Sequence, residues 1–82
     1  MSPAQCRAAR ALLNWSQFDL VTHCGITKKT IADFERGATT KPHPGSLKAI
    51  VTAFEAAGIE FINRGVRMRA PPKRERSTRN EG

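Results

Sequence analysis

The fold is decided by WSQFDLVTHCGITKKTIADFERG, residues Trp15 to Gly37. Ser16 and Thr27 each stand just before a helical pattern, where a side-chain oxygen can accept a bond from an unpaired N–H of the first turn. Gly25 lies between the two patterns, and Gly37 follows the second. Glycine ends a helix at little cost because it adopts the left-handed conformation freely. The segment therefore predicts two short helices joined by a tight turn.

Further signals agree on where both helices begin. Asp19 stands three residues after Ser16, close to a capping box with Asp in place of Glu or Gln. The two hydrophobic pairs Trp15 with Leu20 and Ile26 with Ile31 occupy the staple positions of the first and second helix. Two helices joined by a Gly-bearing turn of about three to four residues are typical of a helix-turn-helix.

The combined pattern resembles the Cro/C1-type repressor family, also called the XRE family. The resemblance extends roughly over residues 5–62, so it covers most of the chain. It implies a mainly α, four-helix, lambda-repressor-like domain that binds double-stranded DNA through a recognition helix at about residues 28–36. The matching positions are Ser16-Gln17, Leu20, Gly25-Ile26-Thr27, Thr30-Ile31 and Phe34-Glu35-Arg36-Gly37.

The second helix carries the residues that we expect to contact DNA. Its amino end has short hydroxyl groups beside two lysines, and this is the end that enters the major groove. The resemblance implies that Gln17 bonds a phosphate and that the loop after the helix contacts the backbone. The predicted DNA-binding residues are Gln17, Thr27, Lys28, Lys29, Thr30, Asp33, Arg36, Thr39, Thr40, Lys41 and His43.

Several of these residues keep two interpretations. Lys28 and Lys29 can read guanine or only bind phosphate. Asp33 can accept from cytosine N4 or pair with Lys29 or Arg36. The family signature indicates a structural role for Glu35, which faces away from the groove. We expect it to hold either the loop or an arginine of the helix that precedes the helix-turn-helix.

Another helix is predicted before the helix-turn-helix, and its two arginines also have two interpretations. Arg7 and Arg10 sit partly off its apolar stripe, which suggests either a solvated face or phosphate contacts. We expect this helix to begin at Pro3 or Ala4, with Ser2 as its cap. Asn14 is expected to end it.

A change of period after Gly58 predicts a β-hairpin over residues 59–69, where many Cro/C1-type repressors have a fifth helix. The hairpin follows a fourth helix, which we expect to begin between Pro44 and Ser46 and to end near Ala57. Asn63-Arg64-Gly65 suits a three-residue turn ending in glycine. Because an isolated hairpin is marginal in water, we expect a homodimer interface there. One alternative is that the segment is a loosely ordered extension. Another is that it folds onto the N-terminal and the fourth helix, and that dimers form through the ends of the fourth helix instead. The predicted interface residues are Phe61, Ile62, Val66 and Met68.

Charge divides the 82-residue chain unevenly. Its net charge is +7; residues 1–63 carry seven Lys/Arg and five Asp/Glu (+2), and residues 64–82 carry seven and two (+5). We expect one domain over residues 1–69 and a disordered basic tail over residues 70–82, because the tail has too few apolar residues to fold. The basic balance suggests nucleic acid or an anionic surface as partner. Charge alone fits a merely soluble basic protein nearly as well, and the helix-turn-helix pattern favours DNA.

Composition disfavours several other classes. No apolar run approaches a membrane span, so we expect a cytoplasmic protein. Cys6 and Cys24 lack metal-ligand spacing and fit buried hydrophobic positions better than a zinc site or a disulfide. With no Gly-rich phosphate loop and no supported Cys/His pair, we expect no enzyme, cofactor or small-molecule ligand. The competing function is a helix-turn-helix antitoxin or antiactivator that acts by binding another protein, with a contact through the C-terminal region.

Overall fold

The computed structural model describes residues 1–38 and 43–69. Within those ranges it has four helices followed by a two-stranded antiparallel hairpin, which confirms the predicted fold class. The expected tail, residues 70–82, lies outside the described residues. The elements are α1 (Pro3–Leu13), α2 (Gln17–Cys24), α3 (Lys28–Glu35), α4 (Pro44–Ala56), β1 (Ile59–Ile62) and β2 (Gly65–Met68).

Side-chain caps fix where α1 and α2 begin. Ser2 and Gln5 form a reciprocal capping box on α1, and Ser16 and Asp19 form one on α2. The predicted box with aspartate is therefore confirmed. Asn14, in the left-handed conformation, ends α1 as expected.

The end of α3 is set by Gly37, which is left-handed at φ 73°. The Gly37 N–H donates to Phe34 O at 3.0 Å, and the Ala38 N–H donates to Asp33 O at 2.9 Å. This pair of bonds is the Schellman arrangement. The helix ends at Glu35 with Arg36 as its cap, one residue earlier than predicted.

One apolar core joins the helices and the hairpin. The ring of Phe54 lies at its centre, with centroids 5.8 Å from Trp15 and 6.2 Å from Phe61. Cys6 is fully buried, whereas Cys24 is only half-buried, and both thiols are free. Among the described residues, no helix is long and apolar enough to cross a bilayer. The buried hydrophobic residues are Cys6, Ala9, Leu20, Ile31, Phe34, Ile50, Phe54 and Ile59.

The hairpin turn differs from its prediction. Ile62 pairs with Gly65, so only Asn63 and Arg64 form the turn, and Gly65 is the first residue of β2. Arg64, not Gly65, takes the left-handed conformation, at φ 64°. A glycine next to a turn is a strong signal for the left-handed conformation. Here the strand register places Gly65 in β2, and Arg64 takes that conformation instead.

The hairpin packs within the chain, on α1 and α4. The Gln5 amide donates to Ile62 O at 2.8 Å and to Gly65 O at 3.0 Å, so α1 holds the end of the hairpin. Phe61 and Val66 are paired across the strands and both pack against the core. The packing partner that the hairpin needs is therefore found, at least in part, inside the domain. Ile62 and Met68 remain exposed, at 42% and 46%.

Candidate nucleic-acid interface

The amino end of α3 presents a compact polar surface. The Thr27 hydroxyl accepts from the Thr30 N–H at 3.3 Å and lies 3.0 Å from the Thr30 hydroxyl. Thr27, Lys28, Lys29 and Thr30 are all exposed, whereas Ile31 on the opposite side is fully buried. The helix is therefore anchored by its apolar side, and its first turn is open to a partner.

Asp33 lies one turn further along and pairs with two cations. Its Oδ2 accepts from Lys29 Nζ at 3.0 Å, and its Oδ1 accepts from the guanidinium of Arg36. The hydrogen bonds from Lys29 and then Arg36 lower the pKa of Asp33. Of the two predicted interpretations, the structure has the ion pairs, with both cations rather than one. A contact with cytosine remains a prediction.

Glu35, two residues away, is buried beneath α1. Its carboxylate accepts from Arg10 through Nε and Nη2, each at 2.7 Å. Gln17 donates to its Oε1 at 3.0 Å, and the Cys6 thiol lies 3.1 Å from its Oε2. The expectation that Glu35 holds an arginine of the first helix agrees with this geometry. Arg10 therefore serves the interior of the domain and not a solvated face.

The balance of effects keeps Glu35 ionised. Burial raises the pKa of Glu35, but the hydrogen bonds from Arg10, Gln17 and Cys6 together outweigh burial and lower it. Burial and the neighbouring carboxylate raise the pKa of the Cys6 thiol, so this cysteine stays protonated. The cluster is thus a satisfied internal ion pair that ties α1, α2 and α3 together.

This cluster positions Gln17 and the carboxyl end of α3. The Gln17 amide carries two N–H groups, and only one is needed for Glu35, so the other can donate outward. Arg7 donates to the backbone carbonyl of Glu35. A cation at the carboxyl end of a helix is favourable because unpaired carbonyls and the helix dipole gather negative charge there.

The predicted loop residues have different outcomes. His43 is exposed, and its Nδ1 accepts from the Gly45 N–H at 3.1 Å, so it caps α4. With Nδ1 as acceptor, the neutral ring carries its proton on Nε2, which can donate to another group. Thr39, Thr40 and Lys41 lie outside the described residues, so their predicted backbone contacts remain predictions.

Sequence reasoning missed three contacts. His23 is exposed, and its ring stacks on Trp15 with ring centroids 4.1 Å apart. The capping role of His43 was missed, as was the double role of Gln5. A signal for Gln5 was present, because Ser2 and Gln5 have the spacing of a capping box. Nothing local marks its bonds to the hairpin.

Comparison with known proteins agrees with the geometry. A helix-turn-helix family profile matches residues 7–60, well over half of the chain. The chain belongs to this family, the Cro/C1-type or XRE helix-turn-helix proteins. Members are DNA-binding regulators and not a catalytic family, so the chain is a DNA-binding helix-turn-helix protein. A search of curated proteins found no match.

Proposed function

We propose that this protein is a transcriptional repressor that binds a pseudo-palindromic operator as a homodimer. The observation that carries the proposal is the amino end of α3, where Thr27 to Thr30 are exposed on a helix whose other side is buried. Hydroxyl groups and lysines at that end match the donors and acceptors of base edges. In this proposal, the bound protein represses by occluding polymerase.

Each residue has a proposed role in binding. Lys28 is the foremost base-reading candidate, because no carboxylate among the described residues forms an ion pair with it. Gln17 donates one N–H to phosphate while Glu35 holds the other. Thr27 and Thr30 contribute hydroxyl groups, the loop residues Thr39, Thr40 and Lys41 contact the backbone, and His43 approaches the edge of the minor groove. Lys29, Asp33 and Arg36 complete the surface of the recognition helix.

Two copies are proposed because one short helix contacts too few base pairs for high specificity. The hairpin supports a dimer through its open sides. The Arg69 N–H donates to Gly58 O, so these two residues form a hydrogen-bonded pair of the ladder. Bonded and non-bonded pairs alternate along an antiparallel ladder, and the pair of Phe61 with Val66 lies three steps further along. Phe61 and Val66 form a non-bonded pair, so their backbone groups point away from the partner strand, toward the two open sides of the hairpin.

An unpaired strand edge is a template for a second chain. In the proposed dimer, Ile62 and Met68 supply exposed apolar contacts, one from each strand of the hairpin. Phe61 and Val66 pack inward and set the position of the strands. Such a dimer would hold two recognition helices about 34 Å apart, one turn of DNA.

The test of operator binding is selection of bound duplexes from a random pool. The proposal expects an enriched sequence with two related half-sites about one helical turn apart. Enrichment of a single half-site would retain sequence-specific binding and reject the dimer. No enrichment at all would contradict sequence-specific binding and favour action through a protein partner.

The test of the dimer is a charge placed in the hairpin. Ile62→Glu with Met68→Lys should give monomers by light scattering and lower operator affinity, with helical circular dichroism unchanged. Phe18→Glu is the control, because Phe18 is 68% exposed on α2 and should leave the dimer intact. Persistence of a dimer in the hairpin variant would reject this interface.

A further inference from the structure

Three cations, Lys28, Lys29 and Arg36, lie on the exposed surface formed by α3 and its cap residue, and they are not equally available to a partner. Lys29 and Arg36 share the carboxylate of Asp33, one on each oxygen. Lys28 has no such pairing within residues 1–38 and 43–69. Asp33 lies between its two partners at the i−4 and i+3 positions, where side chains share a helix face. One acid therefore holds two cations along the helix.

This arrangement matters because phosphate attraction carries no sequence information. Each Lys or Arg that contacts a phosphate strengthens binding to every duplex and adds about 0.9 to the salt slope. A cation already held by a carboxylate must break or share that ion pair before it contacts a phosphate. In the proposed function, the base contact of Lys28 fixes α3 on the operator, whereas on any other sequence the protein can shift until a free cation reaches a phosphate. Pairing therefore weakens binding to other sequences more than it weakens binding to the operator.

We propose that Asp33 is a specificity-determining residue, which limits sequence-independent binding by holding Lys29 and Arg36 on the helix. The inference rests on the proposed function, since it needs α3 to face DNA. It assigns Asp33 a role in discrimination between sequences, in place of direct reading of cytosine. Lys28 then makes the contact that depends on sequence.

Geometry favours this role over base reading. Both oxygens of Asp33 already accept charged hydrogen bonds from its own helix. A cytosine amino group would have to share an oxygen with one of these cations. The side chain of Asp33 is 24% exposed, whereas those of Lys29 and Arg36 are 85% and 68% exposed. The cations therefore stand further out than the carboxylate that holds them.

The experiment compares Asp33→Asn, Asp33→Glu and wild type on the selected operator and on a scrambled duplex over a range of salt. Asp33→Asn should bind the scrambled duplex more tightly, by about fivefold at 0.15 M salt for each freed contact. Its salt slope there should steepen by about 0.9 per contact. The ratio of operator to scrambled affinity should fall by roughly threefold or more. Asp33→Glu keeps the charge and should retain the wild-type ratio.

Two further variants identify the cause. Glu55→Gln removes one negative charge from the exposed surface of α4 and should leave the ratio unchanged. Asp33→Asn combined with Lys29→Ala should lose part of the gain on the scrambled duplex, because one freed cation is then absent. An equal shift with Glu55→Gln would attribute the effect to net charge and overturn the proposal.

Other outcomes separate this inference from the proposed function. Selective loss of operator affinity in Asp33→Asn, with scrambled binding unchanged, would make Asp33 a base reader and overturn the inference alone. An unchanged ratio of operator to scrambled affinity in Asp33→Asn would also overturn the inference and leave the proposed function standing. If the wild type prefers no sequence, the proposed function fails first and the inference falls with it.

Discussion

Asp33 and Glu35 are two acids two positions apart on one helix, and their surroundings are opposite. Glu35 is buried, with its side chain 4% exposed, and it accepts from Arg10, Gln17 and Cys6 on two other helices. Asp33 faces outward and, among the residues that the structure describes, pairs with Lys29 of α3 and with Arg36, the cap residue of α3. The first acid joins the fold together, whereas the second adjusts the charge of a surface.

The contrast shows how one short helix separates stability from binding. Removing one partner of a buried pair leaves a charge without compensation, whereas an exposed pair contributes little to stability. Changes around Glu35 should therefore affect folding, and changes around Asp33 should affect interactions with DNA.

The largest expected effect is on stability, in Arg10→Met. This change leaves the carboxylate of Glu35 buried without its main cation, although Gln17 and Cys6 still donate. We expect the free energy of unfolding to fall by about 3 kcal/mol, a large part of the 5–15 kcal/mol typical of a domain. Urea denaturation followed by circular dichroism measures it.

The control is Arg10→Met combined with Glu35→Met, which removes both charges. It should be more stable than Arg10→Met alone, because no uncompensated charge remains in the core. A double variant less stable than the single one would show that packing, not charge, explains the loss.

The second effect is on binding, in Lys28→Ala compared with Lys29→Ala. Loss of a base contact by Lys28 should cost roughly 1–3 kcal/mol on the operator and much less on a scrambled duplex. Lys29→Ala should cost less, because its ammonium group is held by Asp33. Both proteins should remain folded, with stability within about 0.5 kcal/mol of wild type. Equal losses on both duplexes would make Lys28 a phosphate contact.

The third effect is on the pH dependence of stability. The pKa of Glu35 is lower in the folded protein than in the unfolded chain, where it is about 4.3. Its contribution is therefore present above that unfolded value and is lost as the pH falls through the folded value. Thermal unfolding should show a steep acid decline in wild type that Glu35→Gln reduces. Asp33→Asn should reduce the acid decline less than Glu35→Gln does, because Asp33 is solvated. A larger reduction in Asp33→Asn would contradict the contrast between the two acids.

The smallest expected effect is on the stability of Asp33→Asn at neutral pH. Exposed pairs along a helix contribute little, so the melting temperature should stay within about 2 °C of wild type. Differential scanning calorimetry measures it. A drop as large as that of Arg10→Met would mean that the two acids do not differ as described.

Sequence reasoning reached the parts of this contrast that depend on local spacing. Caps, glycines and staples placed α2 and α3, and the i−4 and i+3 spacing of Lys29 and Arg36 made the pairing of Asp33 foreseeable. The pairing of Glu35 with an arginine of α1 was foreseen only through family resemblance. It joins residues 25 positions apart along the chain.

The hairpin shows where local signals are insufficient. A period change predicted its two strands, but not the left-handed Arg64 or the bonds from Gln5. Those bonds join residues 57 and 60 positions apart, and only the folded chain brings them together. Its register depends on the same tertiary packing, so a glycine next to the turn was not enough to place it.

The most direct test of the account follows backbone amide signals by NMR as the selected operator is added to the isotope-labelled protein. We expect the largest shifts at the exposed amino end of α3, Thr27 to Thr30, with smaller shifts at Gln17 and Arg36. The amides of Ala53 and Phe54 in α4 should change little. Shifts confined to α4 or to the outer side of the hairpin, with α3 unchanged, would contradict the claim that α3 is the DNA-reading helix.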